Sequence, residues 1–269
     1  MANHVPQKQK PRRFPTSFIA SLAHGLSLLE ALGSTESGLP LSRLSGLVQL
    51  RKTTTWRLAH TLVYLGYVRQ DSQTRCFSLG PRVLALGYGY FKSLDMKQLA
   101  SSFLRDLSLH TGETVNMAVL DGDSLVYIER IKTTQIINIS LHIGSRLPLY
   151  NTSMGRVLIS EKPAKWLREY IKRLDKDSVV PKHLKGNCLL RILAETRRKG
   201  YALNDEDLAV GLRSIAAPVR GESGEIVAAV NIAVPSARLS ASQLERTFAP
   251  ALLKATAGIS RALGYQNAR

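Results

Sequence analysis

Apolar side chains recur at helical spacing in three bursts along the first third of the chain. Leu22, Leu26, Leu29 and Ala31–Leu32 predict a helix that Gly33 stops. A turn-rich piece, Ser34 to Pro40, leads to a short helix around Leu44 and Leu47–Val48, with Ser42 as its expected cap. After Gln49–Leu50 a third helix is expected from about Lys52 to Leu65, ended by Gly66. Its Thr55, Leu58, Ala59, Leu62 and Leu65 share one face, while Lys52, Thr53, Trp56, Arg57, His60 and Tyr64 share the other. Two β-rich pieces follow, Tyr67–Gln70 and Arg75–Leu79, joined by the turn-forming Asp71-Ser72-Gln73-Thr74, and read as a hairpin. Three helices and a hairpin in this order predict a winged helix-turn-helix over residues 17–80, behind a flexible basic arm at 1–16. Residues 81–94, with Leu84, Tyr88 and Phe91, read as a connecting helix able to pack on a second subunit.

The pattern changes after Leu94. A helix from about Met96 to Leu109 is followed by strands at Val115–Leu120, Leu125–Ile131 and Ile136–Ile143, with Asp121-Gly122-Asp123 turning between the first two. Helices are expected near Ser153–Ile159, Ala164–Leu174 and Leu189–Arg198. Strands at Ser214–Val219 and Ile226–Val234 then flank Gly221-Glu222-Ser223-Gly224, and a last helix runs from about Ser242 to Leu263. Consecutive hairpins with grouped helices predict an α+β domain over 95–269, built on an antiparallel sheet and not doubly wound.

Charge sharpens this division. The 269 residues carry a net charge of +17, and the first 94 hold +9 of it with Glu30, Glu36 and Asp71 as their acids. A basic segment almost free of carboxylates suits a polyanion. On the third helix Arg51, Lys52 and Arg57 are placed to neutralise phosphates or fork onto guanine, and Thr53 and Thr54 to bond phosphate or base edges near the helix's positive end. Trp56 reads either as packing at the helix–wing junction or as a contact to thymine methyls, and His60 either as a backbone contact or as an ordinary surface histidine. Arg69, Gln73 and Arg75 are the wing candidates.

Other chemistries find no support. Six scattered histidines make no metal pair, and neither a phosphate-cradling loop nor a nucleophile elbow is present. The acidic run Asp205-Glu206-Asp207 reads as a solvated loop before a metal site, and Cys76 and Cys188 are too few for a disulfide framework. No apolar run is long enough to span a membrane and no secretory signal is apparent, so a soluble, cytoplasmic protein without cofactor or metal is expected. An RNA-binding protein and a basic-surfaced enzyme are the rival classes. The stretch Gly144 to Leu158 is the candidate small-molecule site, where Pro148 stiffens a strand exit and Asn151-Thr152-Ser153 opens a helix whose free N–H groups favour a carboxylate. An ordinary cap by Thr152 or Ser153 is the plainer reading of the same residues.

These segments together resemble the IclR family of bacterial transcriptional regulators from Phe18 onward. The matching stretches are Leu50-Arg51-Lys52-Thr53-Thr54-Thr55-Trp56-Arg57-Leu58, Leu65-Gly66-Tyr67-Val68, Phe77-Ser78-Leu79-Gly80, Gly144-Ser145-Arg146-Leu147-Pro148, Gly200-Tyr201-Ala202, Gly211 to Val219 and Ala262-Leu263-Gly264. The resemblance implies a GAF-like effector-binding domain, homodimers or homotetramers on palindromic operator DNA, and an effector pocket at Ser153, Met154, Gly155, Asn204, Ser214, Asn231 and Ala233. Members that take very small oxo-acids resemble this layout with a small residue at Met154 and acidic or thiol groups opposite. Here Met154, Asn204 and Asn231 imply a neutral, amide-rich pocket with one apolar side, suited to a planar carboxylate. The run Thr152 to Leu158 is similar to the subgroup that controls aromatic-acid catabolism (protocatechuate, hydroxybenzoate and β-ketoadipate pathways), with a short aliphatic oxo-acid as the alternative effector.

Overall fold

The computed structural model describes residues 15–35, 37–86, 96–132 and 141–266. The chain folds as two units, residues 1–93 and 94–269. The arm at 1–14, Tyr88 and Phe91 of the expected connecting helix, and 136–140 of the expected third strand lie outside the described residues.

In the first unit α1 (Ala20–Gly33), α2 (Leu41–Leu47) and α3 (Lys52–Tyr64) pack beside the hairpin of β1 (Val68–Gln70) and β2 (Phe77–Leu79). Leu28, Leu32, Leu39, Leu44, Ala59, Val68 and Phe77 make the core. The α1 stripe departs from expectation. Only Leu28 and Leu32 of this helix are buried, because its C-terminal half rests on α3 and β2, whereas Leu22 and Leu26 stay exposed at 61% and 51%. Nor does Ser42 cap α2, since Pro40 holds that position with its rigid φ and makes no side-chain bond. Leu39 bridges to Phe77 beyond the hairpin, adding a third strand-like contact that no periodicity marks. Residues 82–86 are helical, tied back by Arg82 Nη1 donating to the Leu65 carbonyl at 2.8 Å, and Leu84 is 75% exposed.

The second unit is a six-stranded antiparallel sheet in the order β5-β4-β3-β8-β7-β6. Its strands are β3 (Thr114–Asp121), β4 (Ser124–Ile131), β5 (Arg146–Pro148), β6 (Ala202–Asp205), β7 (Leu212–Arg220) and β8 (Ile226–Pro235). Side chains alternate across the sheet, and both faces are covered. One face carries Val115, Met117, Ile215, Ala217, Val230 and Ile232, all fully buried, beneath α4 (Met96–Thr111) and the capping-box helix α8 (Ala241–Ala262). The other face carries α5 (Ser153–Ser160), α6 (Ala164–Asp175) and α7 (Gly186–Lys199), with Leu149, Met154, Val157, Leu167, Leu189 and Leu193 in their shared core. The antiparallel α+β architecture is as expected. Of the expected third strand, residues 141–143 take no strand conformation, and among the described residues the strand next to β4 is Arg146–Pro148. Among the described residues no helix is long and apolar enough to cross a membrane.

At the end of α5, Glu161 receives Arg220 Nη1 and Nη2 at 2.9 and 2.6 Å, tying that helix to β7. The Arg220 hydrogen bonds hold the Glu161 carboxyl below its ordinary value against the opposing effect of burial, with further help from Arg220 and Arg197 charge. The contribution is therefore present above the unfolded pKa near 4.3 and is lost as pH falls through the depressed folded value. Because both side chains are about a third exposed, Glu161→Gln is expected to cost only about 0.5–1 kcal/mol at pH 7. The melting-temperature gap to wild type should close by pH 3, and a gap of constant size would show that the carboxylate charge is not what acts.

Candidate functional site

The outward face of α3 is built by its inward one. Thr55 and Ala59 are fully buried, and Thr55 Oγ1 donates to the Arg51 carbonyl at 3.1 Å, which fixes the helix rotation. Arg51, Lys52, Thr53, Thr54 and Arg57 are left exposed, with Arg51 in the extended N-cap position. On the wing, Arg69 pairs across to Ser78 on the exposed side of the ladder, and Gln73 and Arg75 lie at the exposed tip. Among the described residues none of Arg51, Lys52, Arg57, Arg69 or Arg75 is paired with a carboxylate. The acid near them, Asp71, is occupied: its Oδ1 accepts Thr74 N–H at 2.7 Å, Thr74 Oγ1 at 2.8 Å and Gln73 N–H at 3.0 Å. The Thr74 bonds hold its pKa below the ordinary value.

Trp56 is 49% exposed and its ring lies tilted against His60 at 4.3 Å, whose own ring meets Phe77 of the wing edge-on at 6.1 Å. His60 therefore departs from its expected role. Its Nε2 is sealed from solvent without a hydrogen-bond partner, so that nitrogen is turned from the surface, and the imidazole joins α3 to the wing.

In the second unit, polar side chains gather on the helix-covered face of the sheet. Antiparallel register aligns Arg130, Asn116, Asn231 and Ala216 in one row, and Thr114, Ala233, Ser214 and Asn204 in the next. A bulge in β4 assists. Met117 opposes Glu129 and Ala118 opposes Tyr127, leaving Ile128 as the extra residue, so Tyr127 and Arg130 point to the same face although three apart. Over these rows stands the start of α5. Ser153 Oγ lies 2.7 Å from Ser214 Oγ, and Asn116 Nδ2 donates to Asn231 Oδ1 at 2.8 Å.

Between sheet and helix lies a cavity of about 20 Å³, lined by Thr114, Asn116, Tyr127, Arg130, Thr152, Ser153, Ser214 and Asn231, with Leu141, Leu208, Leu212 and Ala233 as its apolar wall. Two wider grooves of about 530 and 580 Å³ run along α8, but their walls hold none of the side chains with sealed, partnerless polar atoms that mark the sheet cavity. Burial pushes the Tyr127 hydroxyl up to about 12, with Arg130 pulling it back. The same burial draws the Arg130 guanidinium below its ordinary value. Asn116 Oδ1 and Arg130 Nε are sealed from solvent without partners.

Of the residues the sequence offers for the pocket, Ser153, Ser214, Asn231 and Ala233 line this cavity, and Met154, Gly155 and Asn204 do not. Met154 is 1% exposed within the helix-side core. Gly155 lies against the backbone of Leu149, with no room there for a Cβ. Asn204 Nδ2 donates to the Asn151 carbonyl at 2.6 Å, bracing the turn before α5. The helix start is less open to an anion than expected, because Thr152 Oγ1 accepts the Gly155 N–H at 3.1 Å. Sequence reasoning passed over Thr114, Asn116, Tyr127, Arg130, Leu141, Leu208 and Leu212. No local signal marks Arg130, which sits beside Glu129 near the end of a strand that reads as apolar only over Leu125 to Ile128.

The acidic run is neither a plain solvated loop nor a metal site. Asp205 accepts Arg213 Nε at 2.5 Å and Asp207 accepts Arg156 Nη2 at 2.6 Å and pairs with His183 at 2.9 Å, while Glu206 accepts the Gly211 N–H at 2.7 Å. These bonds clasp the loop that carries Leu208 over the cavity. Among the described residues no group of acids, histidines or cysteines is placed to hold a metal.

The chain matches two family models, the IclR helix-turn-helix domain over residues 21–72 and the bacterial transcriptional regulator IclR C-terminal domain over residues 88–261. It is 36% identical over 241 residues to the Pca regulon regulatory protein of Pseudomonas putida, covering 89% of this chain and 82% of that one. A regulator from Rhodococcus sp. RHA1 superposes with a TM-score of 0.77 at 36% identity, over 91% of this chain and 98% of that one. An IclR homolog from Microbacterium hydrocarbonoxydans, solved with 4-hydroxybenzoate, superposes at 0.77 with 22% identity, over 91% and 99% of the two chains.

Gly155→Ala is expected to push the α5 start off Leu149, because the clash is with backbone that cannot rotate away. The expected loss is about 1–3 kcal/mol in chemical denaturation. A variant as stable as wild type would show that this approach is not required.

Proposed function

This chain belongs to the IclR family of ligand-responsive bacterial transcriptional regulators, and we propose that it governs an operon for the catabolism of an aromatic carboxylic acid. It is a regulator and not an enzyme, as its relatives and both domain matches are. The observation that carries the ligand class is the cavity wall: one guanidinium, neutral amides and hydroxyls, and a leucine side, with no carboxylate among its lining residues. That composition suits an anion with a flat apolar body. The P. putida relative regulates a Pca regulon, and the Microbacterium fold neighbour holds an aromatic acid, which supports the same assignment. The second reading, a short aliphatic oxo-acid, is favoured by the cavity's small volume of about 20 Å³.

As folded, the cavity has room for little more than one water. An aromatic acid therefore binds only a form in which the walls have parted. The effector then has the differential affinity that any ligand needs in order to shift a conformational equilibrium. On the DNA side, Lys52 and Arg51 would meet phosphates, Thr53, Thr54 and Arg57 would reach the major groove, Trp56 would lie beside them, and Arg69 and Arg75 would follow the adjacent backbone. Ile19, Leu22 and Leu26, exposed at 63%, 61% and 51%, form an apolar stripe on α1 that suits a second copy of the chain, and two copies would read a palindrome.

Operator binding should weaken about tenfold or more for Arg57→Ala, with relaxed base preference, whereas Lys52→Ala should weaken all sequences alike and lower the salt slope by about one. Gel shifts at two salt concentrations measure both, and wild-type affinity no greater for operator than for random DNA would overturn the reading. In thermal-shift assays 4-hydroxybenzoate or protocatechuate should raise the melting temperature. Stabilisation by pyruvate and glyoxylate alone would transfer the assignment to the second reading.

A further inference from the structure

We propose that Arg130 is the carboxylate anchor of the effector cavity, a specificity-determining residue that selects acids over neutral ligands of the same shape; this rests on the effector reading above. Its Nε is sealed from solvent and partnerless, and among the described residues no carboxylate lies within ion-pair range of the guanidinium. The buried Arg156, for comparison, has every arm of its guanidinium answered. It meets the Tyr150 and Leu203 carbonyls and Asp207 at 3.1, 2.6 and 2.6 Å.

A part-buried cation without an anion costs stability, so its presence calls for a partner supplied from outside the fold. Beside Arg130 the Tyr127 hydroxyl is held neutral by burial, and the Glu129 carboxylate accepts the backbone N–H of Arg130 at 3.0 Å and not its guanidinium. Asn116 beside it contributes a second sealed atom without a partner, Oδ1, an acceptor waiting for a donor. A carboxylate cannot satisfy that acceptor, but a water or hydroxyl bridging to the ligand can.

Position also fits. Arg130 stands three strand spacings and two residues of register from Ser214, across β3 and β8, a span of about 16 Å at ordinary strand geometry. With the long arginine side chain bridging part of it, the remainder matches a small ring with substituents at opposite ends. The acid end lies at Arg130 and the far polar substituent at the Ser153–Ser214 hydroxyl pair, which can both donate and accept. The guanidinium fork gives the two parallel bonds that a planar carboxylate takes and an ammonium side chain does not reproduce.

The test compares 4-hydroxybenzoate with 4-hydroxybenzamide, and pyruvate with pyruvamide, by calorimetry and thermal shift on full-length wild type, Arg130→Lys and Arg130→Gln. Wild type should prefer acid over amide, and Arg130→Gln should lose about 10- to 100-fold in acid affinity with the acid-to-amide ratio falling toward one. Arg130→Lys should recover part of the ratio. Without ligand, Arg130→Gln should melt no lower than wild type, since an unpaired cation has been removed. An acid-to-amide ratio unchanged in Arg130→Gln overturns the proposal. If the aromatic pair fails and the pyruvate pair shows the Arg130 dependence, the anchor stands and the aromatic assignment falls. If no acid binds wild type, both fall.

Discussion

The antiparallel ladder that locks β8 between β3 and β7 decides which side chains can meet in the second unit. Alternation gives each of these strands two faces, and pairing on both edges leaves β8 no freedom to slip by one residue. Val230, Ile232 and Val234 are thereby committed to one face, while Asn231 and Ala233 are committed to the other. With the same constraint acting on Thr114, Asn116 and Ser214, a polar patch forms inside an otherwise apolar layer without any loop having to carry it. Strand placement makes such a patch stiff, which suits a site that must distinguish shapes.

The helix above the patch is held by charge as well as by packing. Arg156 is nearly enclosed, yet each arm of its guanidinium reaches a carbonyl or Asp207, so α5 is bound to β6 and to the loop that bears Leu208. Asp205 and Glu206 meet Arg213 from the sheet below. The loop over the cavity is thus fastened by one nearly enclosed pair, Arg156–Asp207, and by the Asp205 and Glu206 pairs, which are partly open to solvent, where ion pairs are weak and exchangeable. A tightly packed floor under a roof held by polar clasps is an arrangement in which the roof yields first.

Much of this was legible beforehand, and what was missed has physical reasons. The recognition-type helix, the hairpin, the antiparallel sheet and the Ser153–Ser214–Asn231 grouping follow from periodicity, turn chemistry and family resemblance. β5 and β6 have three and four residues, too few for alternation to show. The resemblance places Ser153 and Met154 together in the pocket, but consecutive helical residues diverge by about 100° and Met154 turns into the core. Asn116 and Asn231 are joined across 115 positions, and no local pattern announces such a pair. His60 looked like a surface residue on a helical wheel, which has no place for a wing folding back against the helix.

Were β4 to run regularly past Tyr127, alternation would carry Glu129 to the cavity face and Arg130 away from it. The wall would then present a carboxylate where it now presents a guanidinium, and the same fold would favour amines and repel acids. The charge that the cavity wall presents is set by one residue of strand register.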